Sequence, residues 1–129
     1  MRVIIKSLIF VIWIIVITAL SVIPYSKNGI ASFKLTESGM IVHFVGYFVA
    51  TALFHWACRK DSVLSILFSC FSILMFSVVL EIVQLYLPYR TFNPKDIVAN
   101  ALGIGFFIIC WAVFCKSRDT RSAKSEAKS

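Results

Sequence analysis

Residues 81–105 read EIVQLYLPYRTFNPKDIVANALGIG, and how this stretch is read decides the fold. Two apolar runs meet at a short turn bounded by Pro88 and Pro94. Proline lacks a backbone N–H and does not continue a helix that reaches it, so Pro88 closes one run, while Pro94 suits the first position of the next. Glu81, Gln84, Arg90, Asp96 and Asn100 interrupt the apolarity on both sides of the turn. An ionisable side chain at the centre of a lipid-embedded helix costs roughly 2.5–3.5 kcal/mol by insertion scales, so such groups face protein or water and have work there. The turn is therefore the expected functional centre.

The rest of the chain explains why lipid is the right solvent to consider. It has 129 residues, 60% of them hydrophobic, with twelve phenylalanines and a mean hydropathy of +0.90. That leaves too little polar side-chain surface to cover a water-soluble core of this size. The net charge of +7 is concentrated at segment ends and in the last residues. This placement suits anionic lipid head groups and argues against nucleic acid as a partner. Cys58, Cys70, Cys110 and Cys115 form no C-x-x-C pair and no Cys/His cluster at zinc spacing, so they read as small apolar fillers, without disulfides.

Spanning hydrocarbon takes about 20 residues. Working outward from the turn, the sequence predicts spans over about 3–23, 40–58, 62–87 and 94–115, which together make one membrane domain over 1–115. Arg2 and Lys6 before an apolar run, with Ala19-Leu20-Ser21 after it, also fit a cleaved leader. The length of that run, its Trp13 and its β-branched residues favour an uncleaved span. Residues 25–39 read as an external loop, and Arg59-Lys60-Asp61 as a tight turn. The Ser/Lys/Ala-rich stretch 116–129 reads as a disordered basic tail.

Four spans put both termini on one side. That side receives Arg2, Lys6, Arg59, Lys60 and the five basic residues of the tail, against Lys27, Lys34, Arg90 and Lys95 on the other. The bias places the termini in the cytoplasm of a plasma (inner) membrane, with the 81–105 turn facing outward. The expected fold is thus an all-α integral membrane protein, a four-transmembrane-helix bundle with both termini cytoplasmic.

His43, Glu81, Gln84, Asp96 and Asn100 then fall within roughly 10 Å of the outer boundary by helical rise. His43 with Tyr47, Ser77 with Glu81 and Gln84, and Asp96 with Asn100 each lie on one helix face. Three such faces turned inward would form a polar pocket open to the outside. Gly46 with Ala50, Ala99 with Gly103, and Ala101 with Gly105 are small pairs four residues apart. That spacing lets helices pack closely, and we take Gly46 and Gly103 as packing positions.

The array H-x-x-x-Y (His43, Tyr47), E-x-x-Q (Glu81, Gln84), R (Arg90) and D-x-x-x-N-x-x-G (Asp96, Asn100, Gly103) resembles the VanZ-like family, named for an accessory protein of teicoplanin resistance. The resemblance covers roughly residues 40–114. It implies a bacterial cell-envelope role that lowers access of lipoglycopeptides to surface targets, and it implies no reaction. Relatives often carry D-K-x-x-H before the histidine, where this chain has Gly39 and Met40. If that pair completes a site in relatives, this chain either lacks part of it or supplies the charge from Glu37.

Plainer readings stand beside these. Asn93-Pro94 is a good helix start and Asp96 would meet the helix dipole, so Asp96 could serve as a cap. Trp56, Trp111, Tyr86 and Tyr89 fit the membrane interface, as does His55. Three functional classes are open. The first is an envelope protein whose pocket, formed by His43, Tyr47, Glu81, Gln84, Arg90, Asp96 and Asn100, binds a lipid-linked or head-group ligand. The second is an enzyme acting on an envelope lipid or lipid-linked precursor at the outer leaflet. The third is a structural module whose polar groups fix helix order for a partner. No G-x-S-x-G or H-E-x-x-H motif is present. No catalytic residue, cofactor or metal is assigned, because a lone membrane-edge histidine usually hydrogen-bonds. Membrane lipids, a lipid-linked envelope precursor, and a second copy or another membrane protein are the partners that fit.

Overall fold

The computed structural model describes residues 2–22, 35–58, 62–88 and 92–126. They form four helices: α1 (Arg2–Val22), α2 (Leu35–Cys58), α3 (Val63–Leu85) and α4 (Pro94–Glu126). In lipid every backbone N–H and C=O has to be satisfied within the segment, which an apolar helix achieves by itself. All four helices contain a window long and apolar enough to cross a membrane: Val3–Val22, Gly39–Cys58, Val63–Leu85 and Pro94–Arg118. Among the described residues there is no strand. The chain is a four-helix membrane protein.

The ends of the helices follow local chemistry. Ser62 caps α3, its Oγ accepting from the Ser65 backbone N–H at 3.2 Å. Asn93 does the same for α4, its Oδ1 accepting from the Lys95 N–H at 3.2 Å. Two boundaries differ from those the sequence predicts. α2 starts at Leu35, inside the expected external loop, because no proline stops the helix from extending N-terminally past Gly39. α4 continues to Glu126 where a disordered tail was expected. Its Lys, Arg, Ala and Glu residues have good helix propensity, and extending an existing helix needs no new nucleation. The rest of the expected external loop, the Arg59-Lys60-Asp61 turn and Arg90 lie outside the described residues.

α2 and α4 form the most extensive pairing, and α1 and α3 flank it. Phe44 and Phe48 of α2 meet Phe106 of α4 with ring centroids 5.7 and 5.6 Å apart. Gly103 makes the pairing close, since a Cβ there would run into the Phe44 carbonyl. Gly46 meets Ile17 at ordinary contact distance, and Gly105 faces open space. α1 is held by Phe10 against Phe54 at 5.0 Å and by the Trp13 Nε1–H donating to the Gly46 carbonyl at 3.0 Å. The four cysteines are free thiols.

Burial is inverted relative to a water-soluble bundle. Ile4, Ile12, Leu64, Phe71 and Val113 point outward. The largest of the fully enclosed side chains are all polar: Thr51, Ser69, Ser77, Glu81 and Asn100. The hydroxyls return to their own helices: Thr51 donates to the Tyr47 carbonyl at 2.7 Å, Ser69 to Ser65 at 2.8 Å and Ser77 to Leu74 at 2.9 Å. Glu81 and Asn100 have no such local outlet.

Candidate functional site

The α2 N-terminal half, the end of α3 and the first turns of α4 converge at one end of the bundle. His43 comes from α2, Glu81 from α3, and Asp96 with Asn100 from α4. One ligand-capable atom each from His43, Glu81 and Asp96 lies within 4.8 Å of the other two. Three helices thus each bring one polar side chain to the same place.

The contacts give each side chain a definite state. His43 Nδ1 and Asn100 Oδ1 are 2.9 Å apart. An amide oxygen can only accept, so Nδ1 carries the proton that is shared. His43 Nε2 then faces Asp96 Oδ2 at 3.8 Å, too far for a hydrogen bond. The other Asp96 oxygen, Oδ1, accepts from Asn93 Nδ2 at 3.3 Å. Asp96 is therefore both in the first turn of α4 and beside His43 and Glu81.

Glu81 is 1% exposed, and its Oε2 has no hydrogen-bond partner among the described residues. Asn100 Nδ2 is likewise buried and unpartnered. A buried polar atom without a partner costs roughly 1–3 kcal/mol, more if charged, so two in one cluster call for an explanation. Tyr47 lies one turn below His43, its ring nearly parallel to the imidazole at a 6.4 Å centroid separation. The cluster is not fully enclosed, since the His43 and Asp96 side chains keep 20% and 18% exposure.

Not every expected member joins. Gln84 turns away, and its Nε2 donates to the Ser21 carbonyl of α1 at 3.2 Å. Arg90 lies outside the described residues. Gly103, one turn beyond Asn100, sets the distance between α2 and α4 from beneath the cluster. Asn93 is the residue the sequence undersold: its position three before Asp96 signals a cap, and its amide also orients the Asp96 carboxylate. His55, expected at the interface, is instead buried between Phe107 and Trp111, at 5.7 and 6.5 Å.

No curated protein and no solved structure matches the chain. A family model does. Residues 7–115 match the family described as VanZ/LLP1, in agreement with the array running from His43 to Gly103, and the chain belongs to that family.

Proposed function

We propose that the His43, Tyr47, Glu81, Asp96 and Asn100 cluster, with Arg90 from the adjoining turn, is an outward-facing pocket in a bacterial plasma membrane. It binds the head group of a lipid-linked envelope precursor or of a membrane lipid, and through that binding contributes to glycopeptide (teicoplanin-like) resistance. The observation that carries this reading is Glu81, enclosed in apolar helices yet with an oxygen that has no partner among the described residues. Intramembrane ionisable groups kept at such cost mark sites of ligand or ion engagement. Arginine suits phosphate or carboxylate recognition, and the Asn100 amide and the Tyr47 ring would fix orientation.

A second reading is favoured by the bonds from His43 to Asn100 and from Gln84 to Ser21. These tie α2 to α4 and α3 to α1, as a purely structural network would. Glu81→Gln, Asp96→Asn and Arg90→Ala separate the two. If the cluster binds a ligand, each variant folds with near-wild-type yield in detergent while glycopeptide resistance falls. If it only orders the helices, yield and melting temperature fall together with resistance in all three.

A further inference from the structure

We propose that His43, Glu81 and Asp96 form a three-ligand site for a divalent transition-metal ion, zinc being the best match. The sequence offers no metal motif, because its three ligands are contributed by three different helices and only the fold brings them together. Four features of the cluster then point the same way.

The first is the imidazole. A metal-ligating histidine characteristically donates its other ring N–H to an oxygen acceptor, which fixes the tautomer and aims the lone pair at the metal. His43 Nδ1 is engaged by Asn100 Oδ1 at 2.9 Å, so Nε2 is the coordinating nitrogen. The second is the gap between Nε2 and Asp96 Oδ2. At 3.8 Å the two atoms face each other beyond hydrogen-bond distance. Two ligands of a tetrahedral zinc, each about 2.0–2.2 Å from the ion, lie roughly 3.4 Å apart, so a small movement seats an ion between them. The third is Glu81 Oε2, buried and without a partner among the described residues, with the Glu81 carboxylate in the same 4.8 Å cluster. The fourth is orientation from outside: Asn93 holds Asp96 Oδ1 and leaves Oδ2 to the site.

Charge agrees with the geometry. Glu81 and Asp96 ionised bring two negative charges into a low-dielectric end of the bundle, and one divalent cation cancels both. One nitrogen and two carboxylate oxygens suit zinc, and manganese or ferrous iron less tightly, better than the oxygen-only cages of calcium. Three protein ligands leave a position open, and the partial exposure of His43 and Asp96 lets an anionic oxygen from outside reach it. Only this last step, the capture of a phosphate or carboxylate head group, rests on the pocket reading above.

The test uses the full-length protein in detergent, stripped with a chelator and titrated with zinc alone. The expected result is one zinc per chain and a higher melting temperature. Glu81→Gln and His43→Gln should each weaken binding at least tenfold, and Asn100→Ala, a positioning change, by about 10–100-fold. Cobalt(II) in place of zinc should give a spectrum without a thiolate charge-transfer band, which excludes binding at the cysteines. Circular dichroism checks the fold of each variant, and Asp96→Asn replaces Glu81→Gln if the latter does not fold. A wild-type protein that takes up no stoichiometric zinc overturns the proposal, as does zinc retained by both His43→Gln and its carboxylate partner variant. Zinc binding without any loss of resistance in the variants would sink the pocket reading and leave the metal site standing; a wild type that takes up no zinc, with resistance still lost in the folded variants, would do the reverse.

Discussion

Glu81 and Gly103 show how single positions carry the cluster. Burying an unpaired charge in an apolar medium is among the costliest things a fold can do, so the enclosure of Glu81 has to be compensated by what it engages. Gly103 acts by what it lacks. It lies three residues from Asn100 and touches the carbonyl of Phe44, the residue next to His43, so it sets the spacing across which His43 and Asn100 bond at 2.9 Å. Gly103→Ala would force α4 away from α2, and we expect a loss of about 1–3 kcal/mol, as for overpacking in a filled core. Gly105→Ala, facing open space, should cost nothing or stabilise by up to about 1 kcal/mol through helix propensity. Melting temperatures of the two variants in the same detergent check this contrast. Equal losses would remove Gly103 from its role.

Among the elements, α1 joins the bundle by apolar packing of Phe10 and Ile17 and by polar tethers at Trp13 and Ser21. The last carbonyls of a helix have no partner within it. Ser21 lies in the final turn of α1, and the Gln84 amide satisfies its carbonyl at 3.2 Å. Gln84→Leu should therefore cost about 0.5–1.5 kcal/mol and raise hydrogen exchange at the C-terminal turn of α1, leaving exchange around His43 unchanged. This tether also marks the limit of what spacing reveals. Glu81 and Gln84 share a stripe on α3, yet three residues of helical rotation leave them about 60° apart, enough for one to face α2 and α4 while the other faces α1. The convergence of His43, Glu81, Asp96 and Asn100 was legible because polar groups in so apolar a chain have few places to go. The direction of Gln84 was not, because it depends on where a helix remote in sequence packs. Small-residue pairs were ambiguous for the same reason. Gly103 meets α2 and Ala99 is buried, whereas Ala101 is exposed and Gly105 faces open space. The helical continuation of α4 was missed because composition measures the ability to form a core, which a solvated helix does not need.

At the scale of the whole molecule, the ends of the bundle are chemically different. One gathers His43, Glu81, Asp96 and Asn100; at the other the Lys6 ammonium lies 4.3 Å from the Trp56 ring centroid and donates to the Trp56 carbonyl at 3.3 Å. On the charge bias, the end that holds Lys6 is the one expected in the cytoplasm, an orientation that labelling tests. With the native cysteines replaced by serine, a membrane-impermeant maleimide added to intact cells should label the F92C variant and spare S62C. The opposite pattern would invert the orientation and put the cluster inside the cell. α4 adds a consequence for anything attached to the chain. Its 33 residues span about 50 Å, against about 30 Å of hydrocarbon, so unless it tilts steeply it carries its last turns clear of the bilayer. A reporter fused after Glu126 would ride on a stiff spacer instead of resting on the lipid, and energy-transfer distances from that dye to a head-group probe would read the stand-off directly.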